Sequence, residues 1–178
     1  LGRPRPRRDR RPREPLMARR ALAAAVAFWA ILGGLVLAGV VGLNLASILG
    51  GMVGHPVPGD FELTEIGTAI AVFAFLPWCQ LTRANVTADV FTMGASPIWT
   101  ARMSLAGSLA ALAVAGILFW RMSLGLADQH AYGYTSAILQ IPLWPCFVPV
   151  LVSLALLALA AAATLAEDAT AARGRGNA

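Results

Sequence analysis

Four long apolar stretches, separated by short polar breaks, fill the chain between Ala21 and Leu165. A helix crosses about 30 Å of hydrocarbon with about 20 mostly apolar residues, because its own backbone satisfies every N–H and C=O that lipid cannot. The stretches fall at about residues 21–49, 61–81, 97–124 and 137–165, and each is long enough to span. The breaks carry their own chemistry. Gly54-His55-Pro56-Val57-Pro58-Gly59 cannot continue a helix, since proline lacks the donor and glycine costs backbone entropy. Asp60 then suits an N-cap, with Glu62 and Glu65 in the turns where the helix dipole favours negative charge. Ser96-Pro97 offers a hydroxyl cap and a proline at the first helical position. Gly125 to Ser136 reads as a polar turn before the last span. The expected fold class is an all-α integral membrane protein of four transmembrane helices.

Composition sharpens this reading. Of 178 residues 58% are hydrophobic and 13% charged, less charge than a water-covered surface needs. All 14 basic residues are arginine. Arg19, Arg20, Arg83, Arg102, Arg173 and Arg175 fall on the side shared by both termini and the loop after the second span, whereas Arg121 stands alone on the other. The positive-inside rule then predicts both ends in the cytoplasm. Residues 1–20 form a basic Arg/Pro-rich segment expected to be disordered. Within it, Met17-Ala18-Arg19-Arg20 reads as a translation start, and the long apolar run that follows is unlike a cleaved signal peptide. Residues 21–166 are the membrane domain and 167–178 a cytoplasmic tail. Trp78 and Trp99 near one boundary, and Trp120 and Trp144 near the other, fit interfacial anchors; Trp29 lies deeper.

Several function classes are disfavoured. Charge inserted mid-membrane costs about 2.5–3.5 kcal/mol or more and is kept for function, yet the middles of all four spans are uncharged. Asn44 and Gln80 are the main polar intrusions. Glu65 is the deepest acid, about one turn in from the outer boundary, and is expected to face a partner or a helix end. Cys79 and Cys146 should lie about 15 Å apart along the membrane normal, beyond the reach of a disulfide. No cofactor, metal site or catalytic residue is expected, and no nucleic-acid partner. The sequon Asn85-Val86-Thr87 falls in a cytoplasmic loop and is not a glycosylation site.

The spans do offer packing surface. Ala38, Gly42, Ala46 and Gly50 recur every four residues on the first, and Gly107, Ala111 and Ala115 on the third. Small residues at this spacing allow close helix approach in lipid. Pro77 interrupts the second span; Pro142, Pro145 and Pro149 crowd the fourth. Between Thr82 and Met93, Val86, Val90, Phe91 and Met93 would form one apolar face of a short interfacial helix.

The stretches Pro58-Gly59-Asp60-Phe61-Glu62-Leu63-Thr64-Glu65, Phe73-Ala74-Phe75-Leu76-Pro77-Trp78-Cys79-Gln80, Arg83-Ala84-Asn85-Val86-Thr87-Ala88-Asp89 and Ile141-Pro142-Leu143-Trp144 resemble, in order and spacing, the small permease subunit of tripartite ATP-independent periplasmic (TRAP) transporters. The resemblance covers roughly Ala21 to Leu165. It implies a non-catalytic subunit of the bacterial inner membrane that scaffolds a large permease. That permease carries the substrate and sodium sites and moves like an elevator, and a periplasmic solute-binding protein delivers a small organic solute. The candidate partner contacts are Glu62, Glu65, Pro77, Trp78, Arg83, Asn85 and Asp89. The chain departs from the family in having Gly50-Gly51 where an arginine is frequent, and Thr87-Ala88 in place of a basic position after Asn-Val. The alternative from another class is a self-sufficient small transporter or membrane enzyme, which would need an essential ionisable residue.

Overall fold

The computed structural model describes residues 14–84 and 97–175, with side chains for 17–84 and 103–170. It contains four long helices: α1 (Glu14–Met52), α2 (Asp60–Leu81), α3 (Pro97–Tyr132) and α4 (Trp144–Arg175). All four are long and apolar enough to cross a membrane. The described residues contain no strand beyond one isolated antiparallel bridge between Thr135 and Pro142.

The helices exceed the apolar stretches wherever hydrophobicity ends before helical chemistry does. α1 starts at Glu14, so Arg19 and Arg20 ride on it rather than in a disordered segment. α4 continues through Glu167 and Asp168 to Arg175, so the start of the expected tail is helical. α3 runs to Tyr132, beyond the turn expected at Gly125. Leu126 to Ala131 is a run of adequate helix formers, and Gly125 sits against the Phe147 ring with little room to spare. The helix stops at Gly133, whose positive φ of 62° and N–H to the Gln129 carbonyl at 3.1 Å make a left-handed C-terminal cap. The fourth helix then begins at Trp144 and not near Ala137. Residues 134–143 fold into a tight turn, with Ser136 N–H donating to Ile141 O and Leu143 N–H to Tyr134 O. Pro142 ends it, and Pro145 lies in the first turn of α4, where a missing N–H is harmless.

α4 is the hub. It packs along α3 and α2 and touches α1 slightly, while α1 packs along α2; among the described residues α2 and α3 do not pack on one another. In lipid such packing depends on small residues and internal hydrogen bonds. Gly33 lies against Ala74, and Gly67 against Val40, each with no room for a Cβ. Ala71, Ala115, Leu154, Ala160 and Ala161 are fully buried. The expected row on α1 is otherwise placed: Ala38, Gly42 and Ala46 face outward, with open space around Gly42. On α3, Gly107 is exposed and Ala115 is the member that seats on the bundle.

The deep polar residues are ties between helices. Asn44 Nδ2 donates to Thr64 Oγ1 at 2.8 Å and to Val40 O at 2.9 Å, joining α1 to α2. Gln80 Nε2 donates to Thr164 Oγ1 at 3.1 Å, joining α2 to α4. Trp29 Nε1 reaches Ser153 Oγ at 2.8 Å, which accounts for a tryptophan too deep to be an interfacial anchor. Cys79 and Cys146 are both free.

Candidate functional site

Polar side chains gather at the two ends of the bundle. At one end, the start of α1, the exit of α2 and the far end of α4 converge. Arg83 follows α2 in a left-handed conformation, φ 55°, with the Ala84 N–H on Cys79 O and the Thr82 N–H on Trp78 O closing the helix. That geometry sends the guanidinium to Asp168, Nη2 to Oδ1 at 2.6 Å. Ser108 of α3 donates to Asp168 Oδ2 at 2.6 Å. Asp168 is only 7% exposed, so its charge is held by a cation and a hydroxyl, as burial of a carboxylate requires. Beside it Arg19 Nε meets Glu167 Oε1 at 2.7 Å. One cluster therefore links all four helices.

At the opposite end Asp60 is the first residue of α2 and not its cap. Gly59 occupies the cap with φ 73°, no side chain caps the helix, and the Leu63 N–H reaches the Gly59 carbonyl. Asp60 is used sideways: Oδ2 accepts from Ser47 of α1 and Oδ1 from the Phe61 N–H. Glycine at 59 is doubly required, since a Cβ there would also run into the Leu139 side chain. Glu62 grips the turn before α4, accepting from the Ile138 N–H at 2.6 Å and the Leu139 N–H at 3.1 Å. The Gly50-Gly51 departure has a local cause as well: a side chain at Gly50 would collide with the His55 carbonyl.

Between α2 and α3, which among the described residues both pack on α4, lies a cavity of about 570 Å³. Ile70, Phe73, Met122 and Phe147 contribute apolar walls, and Glu62, Glu65 and Gln129 add polar groups to the lining. Glu65 makes no ion pair with any described residue. Gln129 Oε1 is buried and receives no donor.

Of the seven expected contact residues, Glu62 and Glu65 share the cavity at one end and Arg83 anchors the cluster at the other. Pro77 is fully buried inside α2, where no partner can touch it. Trp78 is 40% exposed and is available to lipid or protein. Asn85 and Asp89, with the expected interfacial helix, lie outside the described residues. Sequence reasoning missed Ser108, Gln129, Glu167 and Asp168. Glu167-Asp168 was detectable in principle, as an acidic pair two spans beyond Arg83 and so at the same end of the bundle. Nothing in the sequence marks Ser108 or Gln129.

Residues 40–171, well over half the chain, match the family model described as tripartite ATP-independent periplasmic transporters, DctQ component. No curated protein and no solved structure matches.

Proposed function

Because the chain belongs to the DctQ component family of tripartite ATP-independent periplasmic transporters, we propose that it is the small membrane subunit that scaffolds a large permease during sodium-coupled uptake of a small organic solute. The supporting observation is how its polar groups are spent. Deep amides, hydroxyls and the indole N–H hold one helix to the next, and between the two polar ends no span carries an ionised side chain except Arg121. Such a membrane part is built to stay still. It leaves substrate and ion binding to the larger subunit and solute capture to a periplasmic binding protein, and it has no catalytic centre of its own.

In this reading the chain sits in a bacterial inner membrane. The end that carries Arg19, Arg20 and Arg83 faces the cytoplasm by the positive-inside rule. The outward face of α1, with Ala38, Gly42 and Ala46 among larger apolar residues such as Leu35, Leu45 and Ile48, is available for close protein contact.

Co-purification tests the proposal. A tagged copy extracted in mild detergent should bring down a much larger, very hydrophobic permease, and reconstituted alone it should move no solute. Recovery without such a subunit, or flux through vesicles containing this polypeptide alone, would refute it.

A further inference from the structure

We propose that the cavity between α2 and α3 is a binding groove for a phospholipid whose headgroup carries a primary amine. The starting point is what the lining lacks. Glu62 is committed to the two backbone N–H groups of the 138–139 turn. Glu65, one turn further into the membrane, has no cationic partner among the described residues. Arg121, next in sequence to the wall residue Met122, does not supply one. Across the cavity Gln129 contributes a buried amide oxygen that no donor reaches. The buried Gln129 amide oxygen needs a donor, since an unpartnered buried acceptor costs about 1–3 kcal/mol, and the exposed Glu65 carboxyl on the same cavity needs a counter-charge where lipid replaces water. Both are acceptors, so the complementary group is a cation bearing N–H bonds.

The groove runs lengthwise with the bilayer. From Glu62 to Phe73 it follows α2 for about 16 Å at 1.5 Å per residue. Of its lining residues Glu62, Glu65 and Gln129 fall near the ends of α2 and α3 on one side, and Ile66, Ile70 and Phe73 follow further along α2. That order of polar end and apolar length is the order of headgroup and acyl chain in a lipid. A volume of about 570 Å³ is in the range of sites that enclose a small organic ligand, and larger than one lysine or arginine side chain from a neighbouring protein would fill. A trimethylammonium headgroup has the charge but no N–H to give; a glycerol headgroup has hydroxyls but no cation. The chemistry singles out the primary amine. This inference needs the chain to span a bilayer; it does not need the transport assignment.

Native mass spectrometry of the full chain in mild detergent, titrated with phosphatidylethanolamine, phosphatidylcholine and phosphatidylglycerol of identical acyl chains, tests it. The wild type should retain phosphatidylethanolamine about tenfold better than the other two, the size of one charge-assisted hydrogen bond. Glu65→Gln should bring the three lipids to parity, and Gln129→Leu should weaken the preference. Ile70→Trp, which fills the groove, should abolish retention of all three. Thermal melting of each variant, with an unchanged midpoint for Glu65→Gln, separates lost lipid from lost fold. Equal retention of the three lipids by the wild type, a preference that survives Glu65→Gln, or retention unaffected by Ile70→Trp would overturn the proposal. None of these outcomes bears on co-purification with a large permease, so the two readings fail separately.

Discussion

Trp29 and Ser153 share a hydrogen bond of 2.8 Å that crosses from α1 to α4 in the apolar part of the bundle. The same serine hydroxyl donates to the Pro149 carbonyl at 2.8 Å, so it gives one proton and receives another. Contact between α1 and α4 is otherwise slight, which makes this pair the principal polar tie between them inside the membrane. Interhelical hydrogen bonds of this kind contribute about 0.6 kcal/mol on average and at most about 1.7. Trp29→Phe and Ser153→Ala should each lower stability by about 1 kcal/mol, and the double variant should cost little more than either. Reversible unfolding in mixed micelles would measure all three; full additivity would mean that the bond contributes nothing.

The Arg83–Asp168–Ser108 cluster should be less forgiving. Asp168→Ala removes a buried acceptor from two donors, and breaking such a pair costs about 3–5 kcal/mol when both partners are buried. Arg83 is half exposed, so a loss of about 1–3 kcal/mol is expected here. Asp168→Asn, which keeps an acceptor, should cost less than the alanine change. Melting temperatures would rank them, and an Asp168→Asn variant as stable as the wild type would show that the charge is not used.

Gly59 and Gly133 both have positive φ, 73° and 62°, but differ in surroundings. A Cβ on Gly133 meets open space, whereas one on Gly59 meets Leu139. Gly133→Ala should cost about 1 kcal/mol for backbone strain alone. Gly59→Ala should cost more, and Leu139→Ala in the same chain should recover part of the difference. No recovery would assign the whole cost to the backbone.

Glu62→Ala frees the Ile138 and Leu139 N–H groups. Hydrogen exchange at residues 136–143 should accelerate at least several-fold while the α1–α2 interface keeps its protection. Exchange that leaves this turn unchanged would show the carboxylate to be dispensable.

The four spans were legible because lipid imposes a length and a composition that no soluble helix must meet. Helix ends were less legible, for a physical reason. Hydropathy falls where the chain leaves hydrocarbon, but helices stop where capping stops them. α3 therefore passes Gly125 and ends at the left-handed Gly133. The packing rows were only half legible: periodicity found small residues on α1 without telling Gly33, which seats on Ala74, from Gly42, which faces outward. The separation of Cys79 from Cys146 followed from helix geometry alone, and both are free. Ser108 and Gln129 stayed hidden, since their roles depend on which helices become neighbours in space, and local pattern carries no information on that.

That α2 and α3 both lean on α4 and, among the described residues, not on one another, with α1 packed along α2, gives the membrane part the character of a palisade. A palisade has two broad sides and no bore. Water or solute crossing beside it would need a second wall, contributed by another molecule.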